Sequence, residues 1–152
     1  MARVFRIGVV AVLLSVAHLV VADDKAAPTA LQGRWKLVDA EDSDGIVKKR
    51  GFAKQVMVVQ GDQMWDEPDA GEKEVRQPFK LTPAKNPRWI DFRTRGEGKG
   101  GQERFGIYKL EGARLTICFS TVVPAEESRR PTDFTTKPGS GRVLLVYERV
   151  KK

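Results

Sequence analysis

Along most of this chain bulky apolar residues alternate with polar ones, the period of two that a half-buried β-strand imposes. In Gly33-Arg-Trp-Lys-Leu-Val38, Trp35 and Leu37 share one face, and an acidic loop from Asp39 to Gly45 is expected to follow. Gln55 to Gln60 and Gln63 to Asp66 flank Gly61-Asp62, two strands joined by a tight turn. Lys73 to Leu81 alternates around Val75, Phe79 and Leu81, and Pro78 places it at an edge or a bulge. Arg88 to Arg93, Phe105 to Leu110, Leu115 to Phe119 and Arg142 to Arg149 read as further strands. Between them lie a glycine-rich loop, Thr94 to Gln102, and a turn at Glu111-Gly112-Ala113. No helical period exceeds two turns; Val47 to Ala53 and Ala125 to Arg130 are each expected to hold one turn at most. About eight short strands at this spacing predict an all-β fold, a small antiparallel up-and-down barrel, because closure removes the unpaired edges of an open sheet.

The N-terminus breaks the pattern. Arg3 and Arg6 precede an apolar run from Ile7 to Val21, interrupted only by Gly8, Ser15 and His18 and closed by Ala22. This reads as a signal peptide over residues 1–22, shorter than the ~20 residues of a membrane-spanning helix. The expected organisation is that segment, a flexible lead-in over 23–30, and one barrel domain over 31–152. The expected mature protein is exported, periplasmic or extracellular, with no transmembrane segment.

Removing Arg3 and Arg6 from 27 basic residues leaves 25 against 20 acidic ones, so the net charge falls from +7 to +5. Bases and acids are interspersed, as in Glu72-Lys-Glu-Val-Arg76, which argues against nucleic acid as a partner and for weak attraction to anionic envelope surfaces. The sole histidine, His18, leaves with the signal, taking with it the commonest general base and metal ligand. Cys118 is the only cysteine; between Ile117 and Phe119 it reads as a buried small hydrophobe, with no histidine to activate it as a nucleophile. The carboxylates of Asp66, Glu67, Asp69, Glu72 and Glu74 fall in a solvated loop without calcium-loop spacing, and Ser140 has no histidine partner. No catalytic residue, metal site or cofactor is therefore assigned.

Leu31-Gln-Gly-Arg-Trp-Lys-Leu-Val38 resembles the Gly-x-Trp opening strand of lipocalin-like barrels. Together with Asn86-Pro-Arg-Trp-Ile-Asp91, Gly106-Ile-Tyr-Lys-Leu110 leading to Cys118, and Arg130-Pro131 through Gly141, it is similar to an uncharacterised family of small exported bacterial lipocalin-like domains. The resemblance spans residues 31–149 and departs at the hairpin turn, where this chain has Gly112-Ala113 in place of Gly-Asp. It implies a barrel whose Trp35 closes one end, with Arg149 across its face, and it brings no established activity. Burying Trp35 removes 150 Å² or more from water, and an arginine stacked on it adds roughly 0.5–2 kcal/mol.

The segment from Arg129 to Gly141 is the best binding candidate, since loops on rigid scaffolds carry binding residues. Arg129, Arg130 and Lys137 are cations suited to a carboxylate or phosphate. In the alternative reading Arg130 pairs with Asp133, Phe134 packs into the barrel mouth, and Gly139 and Gly141 supply turn geometry. Tyr108 offers a hydroxyl to a ligand's polar end. These residues suggest non-enzymatic binding of a small apolar molecule at the mouth; the alternative is an envelope-associated structural or protein-interaction module.

Overall fold

A computed structural model describes residues 26–43, 55–94 and 101–151. The signal-like segment 1–22, the Val47 to Ala53 turn and the glycines between 95 and 100 lie outside the described residues. A short helix α1 (Ala26–Leu31) occupies the end of the expected lead-in and precedes eight strands. These are β1 (Gly33–Asp42), β2 (Val56–Gln60), β3 (Gln63–Asp66), β4 (Gln77–Thr82), β5 (Arg88–Thr94), β6 (Gln102–Glu111), β7 (Arg114–Ser120) and β8 (Arg142–Arg149). Each pairs antiparallel with its sequence neighbour, and β1 pairs with β8 to close the barrel. The all-β, up-and-down architecture expected from the pattern is the one observed.

Alternation decides what is inside. Trp35, Leu37, Met57, Val59, Met64, Ile90, Tyr108, Leu115, Ile117, Phe119 and Tyr147 form one inward core that follows the strand alternation, and β4 adds the partly buried Phe79 and Leu81. The acidic residues expected to form a loop after Val38 instead extend β1 to Asp42, because they pair with β8 as far as Asp42 opposite Val143. A bulge between Leu37 and Asp39 restores the phase, so that Ala40 faces inward while Glu41 faces water. The strand expected from Lys73 begins only at Gln77; the preceding residue, Arg76, stacks on Trp65, 4.3 Å from its ring centre. Ala125 to Arg130 holds a single 3₁₀ turn, Glu127–Arg129.

Both tight hairpin turns place glycine first: Gly61 and Gly112 have φ of 62° and 60°. Ala113 therefore needs no left-handed backbone, the arrangement of a type II′ turn. Gly106 has a different reason. A Cβ there would lie 2.9 Å from the Cys118 carbonyl oxygen and 3.1 Å from Phe119 Cβ. Its missing side chain lets Phe92 and Phe119, on the strands either side of β6, meet edge to face at 5.1 Å.

One end of the barrel is knitted shut. Trp35 is 0 % exposed, and its indole N–H donates to the Leu31 carbonyl at 2.8 Å. The Arg149 guanidinium lies 4.2 Å from the ring centre and donates to the carbonyls of Gln32, at 2.7 Å, and Ala30. Gly33 must be glycine here: its φ is 121°, and a Cβ would sit 3.0 Å from Arg149 Nη1. Gln32 adds paired bonds to the backbone of Gly61, tying the helix end to the β2–β3 turn. Among the described residues no helix is long and apolar enough to cross a membrane.

Candidate functional site

The weakest seam lies between β3 and β4, which pair at only two positions, Gln63 with Pro78 and Met64 with Gln77. Pro78 has no N–H to donate, and past the Met64–Gln77 pair the two strands diverge into the 67–76 segment that joins them. A cavity of about 420 Å³ opens there. Inward side chains form its floor: Met57, Met64, Phe92, Phe119, Leu145 and Tyr147. Trp65 and residues of the diverging segment, from Asp66 to Val75, form its rim. The segment is anchored by Arg34, whose Nε and Nη2 donate to the two Glu67 carboxylate oxygens at 2.5 and 2.8 Å. That pair, chiefly through its hydrogen bonds, holds the Glu67 carboxyl below its ordinary range. Sequence reading took this acidic stretch as solvated loop, and its residues are exposed; that they border a cavity follows from the short β3–β4 pairing.

The segment expected at the mouth lies elsewhere. On β6, β7 and β8 the outward residues Ile107, Thr116, Cys118 and Val146 are buried although the barrel interior is on their other side. What covers them is the long β7–β8 connection, residues 121–141. Arg130 reaches from it across the outer surface, donating to Asp91 Oδ1 at 2.6 Å and to the Gly106 carbonyl at 2.8 Å. Its guanidinium stacks 4.2 Å from the ring centre of Trp89, which Lys85 approaches at 4.7 Å. Asp133 pairs with Arg142 at 3.1 Å, not with Arg130, and Phe134 lies under Lys109 on the outside, not in the mouth. Thr135, by hydrogen bonding, and then Arg142 by charge hold the Asp133 carboxyl below its usual range.

Arg129 is exposed and pairs with Glu126, so Arg129, Arg130 and Lys137 do not converge as one anion site; Lys137 is exposed and its carbonyl accepts the Ser140 N–H. Gly139 and Gly141 both have positive φ, 73° and 60°, and a Cβ at Gly141 would strike Val122 at 2.6 Å. None of Arg129, Arg130, Asp133, Phe134 and Lys137 lines the cavity.

Cys118 lies beneath this outer loop at 0 % exposure, and burial pushes its thiol up to about 11. In the unfolded chain the thiol ionises near 8.5. The stabilising effect of the neutral buried thiol is full below that value and is lost as pH rises to about 11, roughly 3 kcal/mol in all. Denaturant titrations between pH 8 and 11 are expected to show a steeper loss for the natural protein than for Cys118→Ala. Parallel curves would remove the assignment.

Tyr108 is inside the barrel, 1 % exposed, with its hydroxyl unpartnered and its acidity weakened by burial. Four residues back on the same face of β6, sequence reading passed over Arg104. Counting by twos from Tyr108 through Gly106 was the available signal. Among the described residues no three His, Cys, Asp or Glu side chains converge as a metal site. Compared with protein-family models, with curated proteins and with solved structures, the chain matches none.

Proposed function

We propose that this chain is an exported lipocalin-like binding module, akin to the small exported bacterial lipocalin-like domains its motifs resemble. It holds a small, largely apolar molecule in the open end of its barrel. The observation that carries this reading is the cavity of about 420 Å³ between β3 and β4, within the size range of small-molecule sites. Its floor is thioether, aromatic and aliphatic apart from the Tyr147 hydroxyl, and the charged groups stand at the rim, the usual division between affinity and orientation. The binding rim is the 67–76 segment, and the 121–141 loop serves as a brace for the opposite wall. The interaction-module reading has less support: the exposed large apolar residues among those described are three scattered valines, Val38, Val75 and Val123.

Titration with the neutral fluorophore N-phenyl-1-naphthylamine tests this. Saturable one-to-one binding is expected, and Leu145→Trp, which fills the floor, is expected to abolish it while shifting Tm by no more than about 5 °C. No saturable binding to the natural protein, or equal binding to the filled variant, would refute the reading.

A further inference from the structure

The inner face of β6 carries a cation to which no described residue supplies a counter-charge. Arg104 is 8 % exposed and stands directly opposite Phe92 in the β5–β6 register; Phe92 is part of the cavity floor. Directly opposed residues of antiparallel strands have Cα atoms about 4.5–5.5 Å apart, so the arginine stands beside the Phe92 part of the floor, just outside the residues that line the cavity. Only Nη2 has a partner, the Gln102 side-chain oxygen at 2.5 Å. Nε and Nη1 are buried with none, and no carboxylate among the described residues pairs with the group. An isolated buried charge is expensive, and folded proteins retain one where an anion completes it. Nε and an Nη on one edge of a guanidinium form the fork that carboxylate and phosphate oxygens accept.

We propose that Arg104 holds the anionic head of a single-chain amphiphile whose tail lies in the cavity. The proposal rests on the cavity-binding reading above and adds the chemistry of the head group. The rim on the β3–β4 side orients such a ligand: Asp66, Glu67, Asp69 and Glu72 repel an anion there, leaving β6 as its side of the opening. Lys73, the one cation among the cavity's lining residues, is the competing anchor; Arg76, in the same segment, is paired with Glu74. Tyr108, four residues deeper on the same face and about 13 Å along the strand, leaves a second unpartnered group facing the interior.

Three probes of equal chain length separate the terms: dodecanoate, dodecan-1-ol and dodecylamine, each displacing N-phenyl-1-naphthylamine. The natural protein is expected to bind dodecanoate at least about tenfold more tightly than the alcohol, the scale of one charge-assisted hydrogen bond, and the amine most weakly. Arg104→Gln is expected to erase that preference and leave alcohol affinity within about twofold, while Arg104→Lys keeps part of it. Arg104→Gln removes a buried charge, so its Tm is expected to be no lower than the natural protein's. A preference that survives in Arg104→Gln, or is lost in Lys73→Ala instead, overturns the proposal. Equal binding of acid and alcohol to the natural protein overturns it and leaves the cavity reading standing. If none of the probes binds, the cavity reading fails and the proposal falls with it.

Discussion

Trp35→Ala is expected to lower Tm by roughly 10–20 °C, the largest effect of any single substitution considered, corresponding to about 3–5 kcal/mol. Three losses coincide at one side chain. The indole is completely buried at the closed end, so truncation leaves a void lined by core residues that cannot collapse without moving the helix. Its N–H no longer satisfies the Leu31 carbonyl, and the Arg149 guanidinium loses the ring beneath it. Trp35→Phe separates the terms: it keeps most of the volume and part of the cation–π contact but loses the hydrogen bond, and is expected to cost about 1–2 kcal/mol. Thermal denaturation followed by circular dichroism decides it. A Tm within about 3 °C of the natural protein for Trp35→Ala would show that the closed end is held without its plug.

Arg130→Met is expected to cost about 2–4 kcal/mol, below the full penalty for breaking a buried pair, because the Asp91 side chain retains 26 % exposure. The substitution strands that carboxylate, leaves the Gly106 carbonyl unsatisfied by its side-chain donor, and uncovers the faces of Trp89 and Phe105. Its diagnostic consequence is local. Cys118 lies under the loop that Arg130 pins, so alkylation by iodoacetamide at pH 8 reports opening of that loop. Slow alkylation is expected in the natural protein and acceleration of about tenfold or more in Arg130→Met, with the far-ultraviolet spectrum of the barrel retained. Unchanged alkylation together with unchanged Tm would mean the loop is held elsewhere. The Thr121 bonds to the Gly141 carbonyl, the Thr136 bond to Glu41 and the Asp133–Arg142 pair are among the other fastenings.

Arg130 and Arg104 illustrate opposite fates of an arginine near an apolar surface. One has its charge met by a carboxylate, a backbone carbonyl and two aromatic faces, with only its Nε left unpartnered, and works as a brace. The other is buried with two of its nitrogens unpartnered, which is why it, and not the arginine-rich loop, points to a ligand.

Strand existence, turn positions and the closed all-β class were legible in the chain because they depend on short-range rules. Alternation assigns Trp35, Tyr108 and Tyr147 to one face, and Gly61 and Gly112 mark the tight turns, without reference to any distant residue. The acidic end of β1 was misread as loop because its strand character comes from pairing with β8, a hundred residues away in sequence terms and invisible locally. The same holds at the sites. Residue types marked 129–141 as a cationic loop, but only closure of the barrel decided that the loop would lie across the outer wall and spend Arg130 on Asp91. Only the two-residue β3–β4 pairing opened the cavity, and only the absence of a facing carboxylate among the described residues left Arg104 uncompensated. Local periodicity determines which side of a strand a residue faces; what meets it there is set by long-range register, which a single chain's pattern does not encode.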